Sequence, residues 1–159
     1  MSTRLTSTKS AAPLRIVPDV VKDARVHDLP VEATAEQAAQ LMARVGAGAV
    51  VALDAHGRFA GIVTDQDIVR EVVAKGLNAR VAKLAMLINR NLDCLAPSDL
   101  ALDALELMRI RNVSHLPVIV EERVTAVVSI GDICVAVRHT LDAQLRAHQA
   151  PFFGDIPQE

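Results

Sequence analysis

The sequence predicts an α+β fold made of two pseudo-symmetric copies of one β-α-β-β-α-like unit, packed sheet to sheet with helices outside. Three observations lead there. The stretch Thr64–Asp65–Gln66–Asp67–Ile68 returns as Ser129–Ile130–Gly131–Asp132–Ile133, with hydroxyl, carboxylate and isoleucine in register at an offset of 65 residues. Each copy follows an apolar run, Gly61–Ile62–Val63 in one case and Ala126–Val127–Val128 in the other. Upstream, the helical patterns Ala38–Met42 and Ala104–Met108 repeat at an offset of 66, so the second copy has lost one residue in its hairpin turn, where deletions are tolerated. A period of about 65 is too long for a solenoid, and two copies are too few.

Taken in order, residues 1–12 are rich in Ser and Thr and carry no apolar h-region, which reads as a disordered tail and not a signal peptide. The first unit is expected over 13–76. Leu14, Ile16 and Val17 suggest a short strand, and Asp19 to Ala24 a short helix after Pro18. Leu29–Pro30–Val31 is an extended piece. Thr34 then opens a helix through a capping box with Gln37, and Ala38, Leu41, Met42 and Val45 recur at helical spacing. Gly46–Ala47–Gly48 ends it. The run Ala49–Leu53 is long enough for a strand and too short for a helix, and Asp54–Gly57 turns it into a second strand, Phe59–Val63. Thr64 caps a helix with Ile68, Val69, Val72 and Val73 on its apolar side, stopped at Gly76.

The second unit, expected over 77–147, repeats this order. Val81 to Ile88 reads as a helix. Cys94–Pro97 is the extended piece, and Ser98 or Asp99 the cap of a helix that turns Ala101, Leu102, Leu105 and Met108 inward. His115–Val120 and Val124–Val128 form a hairpin about Glu121–Arg123. A long final helix, from about Ile130 to Ala147, sets Ile133, Val137, Leu141 and Leu145 on one stripe. Residues 148–159 read as a C-terminal tail, in which Phe152–Phe153 could anchor a partner.

Composition narrows the function. The 159 residues are 51% hydrophobic but only 2% aromatic, with no Trp or Tyr, which removes the stacking platforms of single-strand nucleic-acid binders. A net charge of −2 lacks the footprint of a duplex binder. No apolar run approaches the roughly 18 residues that span a bilayer, so a cytoplasmic, non-membrane protein is expected. Cys94 and Cys134 lie in apolar segments without a CxxC and read as reduced core residues. The histidines show no nucleophile–base pairing, no metal-ligand spacing and no Gly-rich phosphate loop, so no enzyme, metal or required cofactor is expected.

A hydroxyl-x-x-Asp at the end of a strand, met once, is a helix cap; met twice inside two matching units, it is a doubled site. Each unit resembles a cystathionine-β-synthase (CBS) domain, and the pair resembles the tandem Bateman module of stand-alone bacterial CBS-pair proteins. The resemblance rests on Gly61–Ile62–Val63–Thr64–Asp65–Gln66–Asp67–Ile68–Val69–Arg70, and on Ser114–His115–Leu116–Pro117–Val118 with Val127–Val128–Ser129–Ile130–Gly131–Asp132. It implies a non-catalytic sensor that binds an adenosine-type ligand (AMP, ADP, ATP, NAD or S-adenosylmethionine) between the repeats, forms a homodimer and reports to a protein partner. It also implies a ribose held by Thr64 and Asp67 in one cleft and by Ser129 and Asp132 in the other. The base would meet Val31 and Ala47, or Leu95, Ser114, His115 and Leu116.

The chemistry suits that assignment. One ionised carboxylate accepts from both ribose hydroxyls, and each bond to a charged group is worth roughly 1.5–3 kcal/mol once desolvated. Placement in a first helical turn favours the negative charge by about 0.3–1 kcal/mol. Arg70, Arg109, Arg111 and His115 are candidate phosphate contacts, though the arginines also fit solvated helix faces and His115 a strand start. The copies depart from one another: Ala47–Gly48–Ala49 stands against Ser114–His115, and Val51 against Pro117, so the Ser129–Asp132 cleft lies closer to the family pattern. A ligand-free dimerisation and docking module is the alternative reading.

Overall fold

Two small sheets meet face to face through the alternating side chains of their hairpins, because a strand sends successive residues to opposite faces. The computed structural model describes residues 12–22 and 25–149. In the first repeat, β1 (Asp28–Pro30) pairs parallel with β2 (Ala49–Leu53), which pairs antiparallel with β3 (Phe59–Thr64). Helix α1 (Ala35–Val45) joins β1 to β2, and α2 (Asp65–Ile68) follows β3 and continues as a wider helical turn over Val69–Val73. In the second repeat, α3 (Ala101–Arg111) precedes the antiparallel pair β4 (His115–Val120) and β5 (Arg123–Ser129), and α4 (Ile130–Gln149) follows them. The counterpart of β1 shrinks to Leu95, which donates to Pro117 and accepts from Ile119 at 2.8 and 2.9 Å.

Three apolar clusters follow from this layering. Val50 and Val63 pack with Ala38, Met42, Ile68 and Val72 under the first repeat's helices. Leu116, Val118, Ala126 and Val128 do the same with Ala104, Met108 and Ile133 in the second. The opposite strand faces, Ala49, Val51 and Ile62, meet Val124 and Val127 between the sheets. Gly61 admits the chain at Ile88–Asn89 so closely that a Cβ there would lie 3.0 Å from Asn89 O.

The segments flanking the first repeat complete both cores. Ile16, wholly buried, belongs to the second repeat's cluster, while Leu84, equally buried, belongs to the first. Matching backbone bonds hold them: Ala101 N donates to Leu14 O and Ala35 N to Ala82 O, each at 2.8 Å. Full burial of one such side chain stabilises by about 1.5–3 kcal/mol.

Several local expectations are corrected. Residues 16–20 form one wide turn closed by Val21 N to Ile16 O, not a strand followed by a helix, and Arg15 alone bridges to Leu100; the remainder of the helix expected to Ala24 lies outside the described residues. The segment 81–88 holds only a short turn, Leu84–Met86, because its backbone spends its hydrogen bonds on Ala33 and Val31. Leu100, not Ser98 or Asp99, precedes α3, while the Asp99 carboxylate accepts from Ala96 N at 2.8 Å. Val69, Val73, Leu102, Leu141 and Leu145 are exposed, as are both cysteines. The 1–11 tail and Phe152–Phe153 lie outside the described residues.

The two-residue β4–β5 turn carries an avoidable cost. Glu121 and Glu122 both sit at positive φ, +49° and +63°, a region that costs a side-chain-bearing residue about 1–2 kcal/mol. Glu122→Gly is expected to raise unfolding stability by about 1 kcal/mol in urea titration; an unchanged or lowered midpoint would show that the turn stores no strain.

Candidate functional site

Each strand-ending hydroxyl makes a reciprocal cap with its aspartate. Thr64 Oγ1 accepts from Asp67 N at 3.1 Å, and Asp67 Oδ2 accepts from Thr64 N and Oγ1, both at 2.8 Å. The second copy is superimposable in its bonding: Ser129 Oγ accepts from Asp132 N at 3.1 Å, and Asp132 Oδ2 accepts from Ser129 N at 2.8 Å and Oγ at 2.7 Å. The extended backbone of Thr64 aims its hydroxyl at the free amide of the first turn, which is what an N-cap requires. In both copies Oδ2 carries the cap and Oδ1 takes no part in it.

The backbone behind the caps is doubled too. Asp65 N donates to Gly48 O at 3.0 Å, and Ile130 N to Ser114 O at 3.1 Å. These bonds bring the start of β2 and the start of β4 against the two caps. Left-handed C-caps at Gly46 and Asn112, φ +68° and +52°, end α1 and α3 at matching points and direct the chain there.

One cleft gathers Thr64, Asp67 and Arg70 from the first repeat with Ser114 and His115 from the second, closed by Gln66, Asn89, Leu92 and Asn112. Its volume is about 60 Å³, well below the roughly 300 Å³ of a small-molecule pocket, and Gln66 and Arg70 at its edge are exposed. Ser129 and Asp132 open instead on a groove of about 1280 Å³ between α4 and the segment holding Leu14, Pro18 and Val20. Asn89 and Asn112 were not among the site candidates read from sequence, since connector asparagines have no periodic signature.

The other sequence-derived candidates lie apart from these linings. Arg109 is held by Glu106 and Arg111 by Asp93, each at 2.6 Å. Leu95 and Leu116 are buried in the second core, Val31 donates its amide to Leu53 O, and Ala47 lies beside Asp65 and Ile68 in a shallow depression. Among the described residues no three His, Cys, Asp or Glu side chains converge as metal ligands, and no helix is long and apolar enough to cross a membrane.

His115 sits between the two caps. Its Nδ1 pairs with Ser114 Oγ at 2.9 Å, and its ring edge covers Gly48, where a Cβ would lie 3.1 Å from Cε1 and Nε2. The small residues at the start of β2 thus accommodate the imidazole contributed by β4. Burial pushes His115 below its ordinary 6.5, against the upward pull of Asp65, Asp132 and Asp67. A histidine whose folded value is depressed binds fewer protons folded than unfolded, so stability falls as pH drops below 6.5 and levels off below the folded value. His115→Asn is expected to remove that component from the pH dependence of Tm between pH 8 and 5; superimposable profiles for the two proteins would contradict it.

Similarity to known proteins agrees with this arrangement. The family model for the CBS domain matches residues 17–74 and again 82–139. The chain is 33% identical over 112 residues to the mitochondrial CBS domain-containing protein CBSX3 of Arabidopsis thaliana, covering 69% of this chain and 54%, about half, of that relative's length. The CBS-domain containing protein ATU1752 of Agrobacterium tumefaciens has the same fold, with TM-score 0.68, 26% identity and coverage of 73% of this chain and 87% of that one. The CBS domain protein PAE2072 of Pyrobaculum aerophilum, solved with AMP, superposes with TM-score 0.70 at 25% identity over 83% of this chain and 99% of that one. With two family matches in tandem over most of its length, this chain belongs to the CBS domain family.

Proposed function

We propose that the chain is a non-catalytic sensor module that binds an adenosine-type ligand between its CBS repeats and reports occupancy to a protein partner. The observation that carries this reading is the pair of caps, each presenting an aspartate whose Oδ2 is committed to the fold and whose Oδ1 is not. A carboxylate held in that way is pre-oriented for adjacent ribose hydroxyls, so little ordering cost falls on binding. AMP in the structure of a 25% identical relative supports an adenine nucleotide as the ligand class. Thr64 and Asp67 with Arg70, Ser114 and His115 would form one site, and Ser129 with Asp132 the other.

A second reading has its own support. Leu141 and Leu145, one turn apart on α4, are both more than half exposed, an apolar pair that suits a homodimer or docked partner with no ligand present.

Isothermal titration with AMP, ADP, ATP, NAD and S-adenosylmethionine separates the two. At least one is expected to bind, and Asp67→Ala or Asp132→Ala is expected to weaken it by about ten- to a hundredfold, the equivalent of one lost bond to a charged group. No heat and no rise in Tm with any of the five would reject the sensor reading in favour of the second.

A further inference from the structure

We propose that His115 is a proton-linked specificity residue of the cleft that holds Thr64, Asp67 and Arg70, which selects phosphorylated over unphosphorylated adenosine ligands by taking up a proton as the anion binds. The inference rests on the ligand-binding reading above and adds the charge class of the ligand and its pH dependence.

The geometry comes first. His115 opens β4, lines the cleft that holds Thr64, Asp67 and Arg70, and lies edge-on against Gly48 at the start of β2. The second repeat's start supplies this imidazole, while the matching position in the first repeat is Ala49, so one histidine stands where the pseudo-symmetry would place two. The charged groups around it are Asp65 and Asp67 at the head of α2, Asp132 in the first turn of α4, and Arg70 further along the same cleft. The carboxylates thus come from both caps. Ser114 Oγ occupies Nδ1, which leaves Nε2 on the edge that faces Gly48.

Burial outweighs the three carboxylates and holds His115 below its ordinary value, which favours the neutral ring. A phosphate placed beside it adds a further negative charge in a partly desolvated site, which favours the imidazolium. The proton comes from solvent, and the net charge brought into the cleft falls by one. Linkage then sets the sign: affinity for an anionic ligand rises as pH falls through the complex's value and levels off below the free protein's value. Each unit of upward shift is worth up to about tenfold in affinity. A neutral nucleoside adds no charge and leaves the ring unchanged.

The test is titration of the full-length protein with AMP and with adenosine from pH 8 to pH 5.5, in wild type and His115→Asn. Because a phosphate monoester itself titrates near pH 6, the quantity read is the difference between the two proteins. Wild type is expected to gain up to about tenfold more AMP affinity than His115→Asn as pH falls, with no such difference for adenosine. Arg70→Gln is expected to lower AMP affinity equally at every pH. NMR titration of the His115 ring proton in the wild-type protein gives a reading independent of any variant's folding, and its midpoint should rise on adding AMP. Parallel pH profiles in the two proteins, or a ring midpoint unmoved by bound AMP, would overturn the role of His115 and leave ligand binding standing. Failure of both AMP and adenosine to bind would instead overturn the reading beneath it.

Discussion

Everything at the centre of this protein depends on a reciprocal cap. A hydroxyl residue ends a strand, its side chain accepts from the third amide of the helix, and the aspartate at that amide accepts in turn from the hydroxyl residue's own N–H. Loss of such a cap typically costs about 1 kcal/mol in stability. The same bonds fix where the carboxylate points. Oδ2 holds the turn in both copies while Oδ1 stays uncommitted, so on the proposed reading a substitution at either aspartate acts on both stability and affinity.

The caps are placed by a frame in which neither repeat is self-sufficient. Ile16 lies ahead of the first repeat yet fills the second core, and Leu84 follows the first repeat and fills it from below. The backbone bonds from Ala101 to Leu14 and from Ala35 to Ala82 tie these segments to the starts of α1 and α3. The same N-terminal segment, through Leu14, Pro18 and Val20, also walls the groove that holds Ser129 and Asp132.

The parts legible in sequence were those with a period or a duplicated chemical pattern. The hairpins followed from continuous apolar runs around turn residues, and both caps from the hydroxyl-x-x-Asp repeat. Where regularity was carried by tertiary bonds, sequence reasoning overreached. Val81–Ile88 has helical spacing, but its amides are taken by Ala33 and Val31, so only Leu84–Met86 turns. Leu141 and Leu145 fit an inward stripe, but the core ends near Val137 and leaves both of them exposed. Cys94 and Cys134 sat among apolar neighbours and nonetheless face out. The contact between His115 and Gly48 joins residues distant in the chain, and no local pattern announces it. Sequence reasoning could note that a small trio replaces Ser114–His115; only the fold shows that the trio makes room for that same histidine.

The central claim is that the uncommitted oxygen of a capping aspartate holds the ribose, and a crystal structure of the protein grown with AMP tests it most directly. The account predicts ribose hydroxyls within about 3.2 Å of Oδ1 of Asp67 or Asp132, with the bonds from Oδ2 to Thr64 or Ser129 retained. AMP bound elsewhere on the protein, with both aspartates engaged only with their own caps, would contradict it.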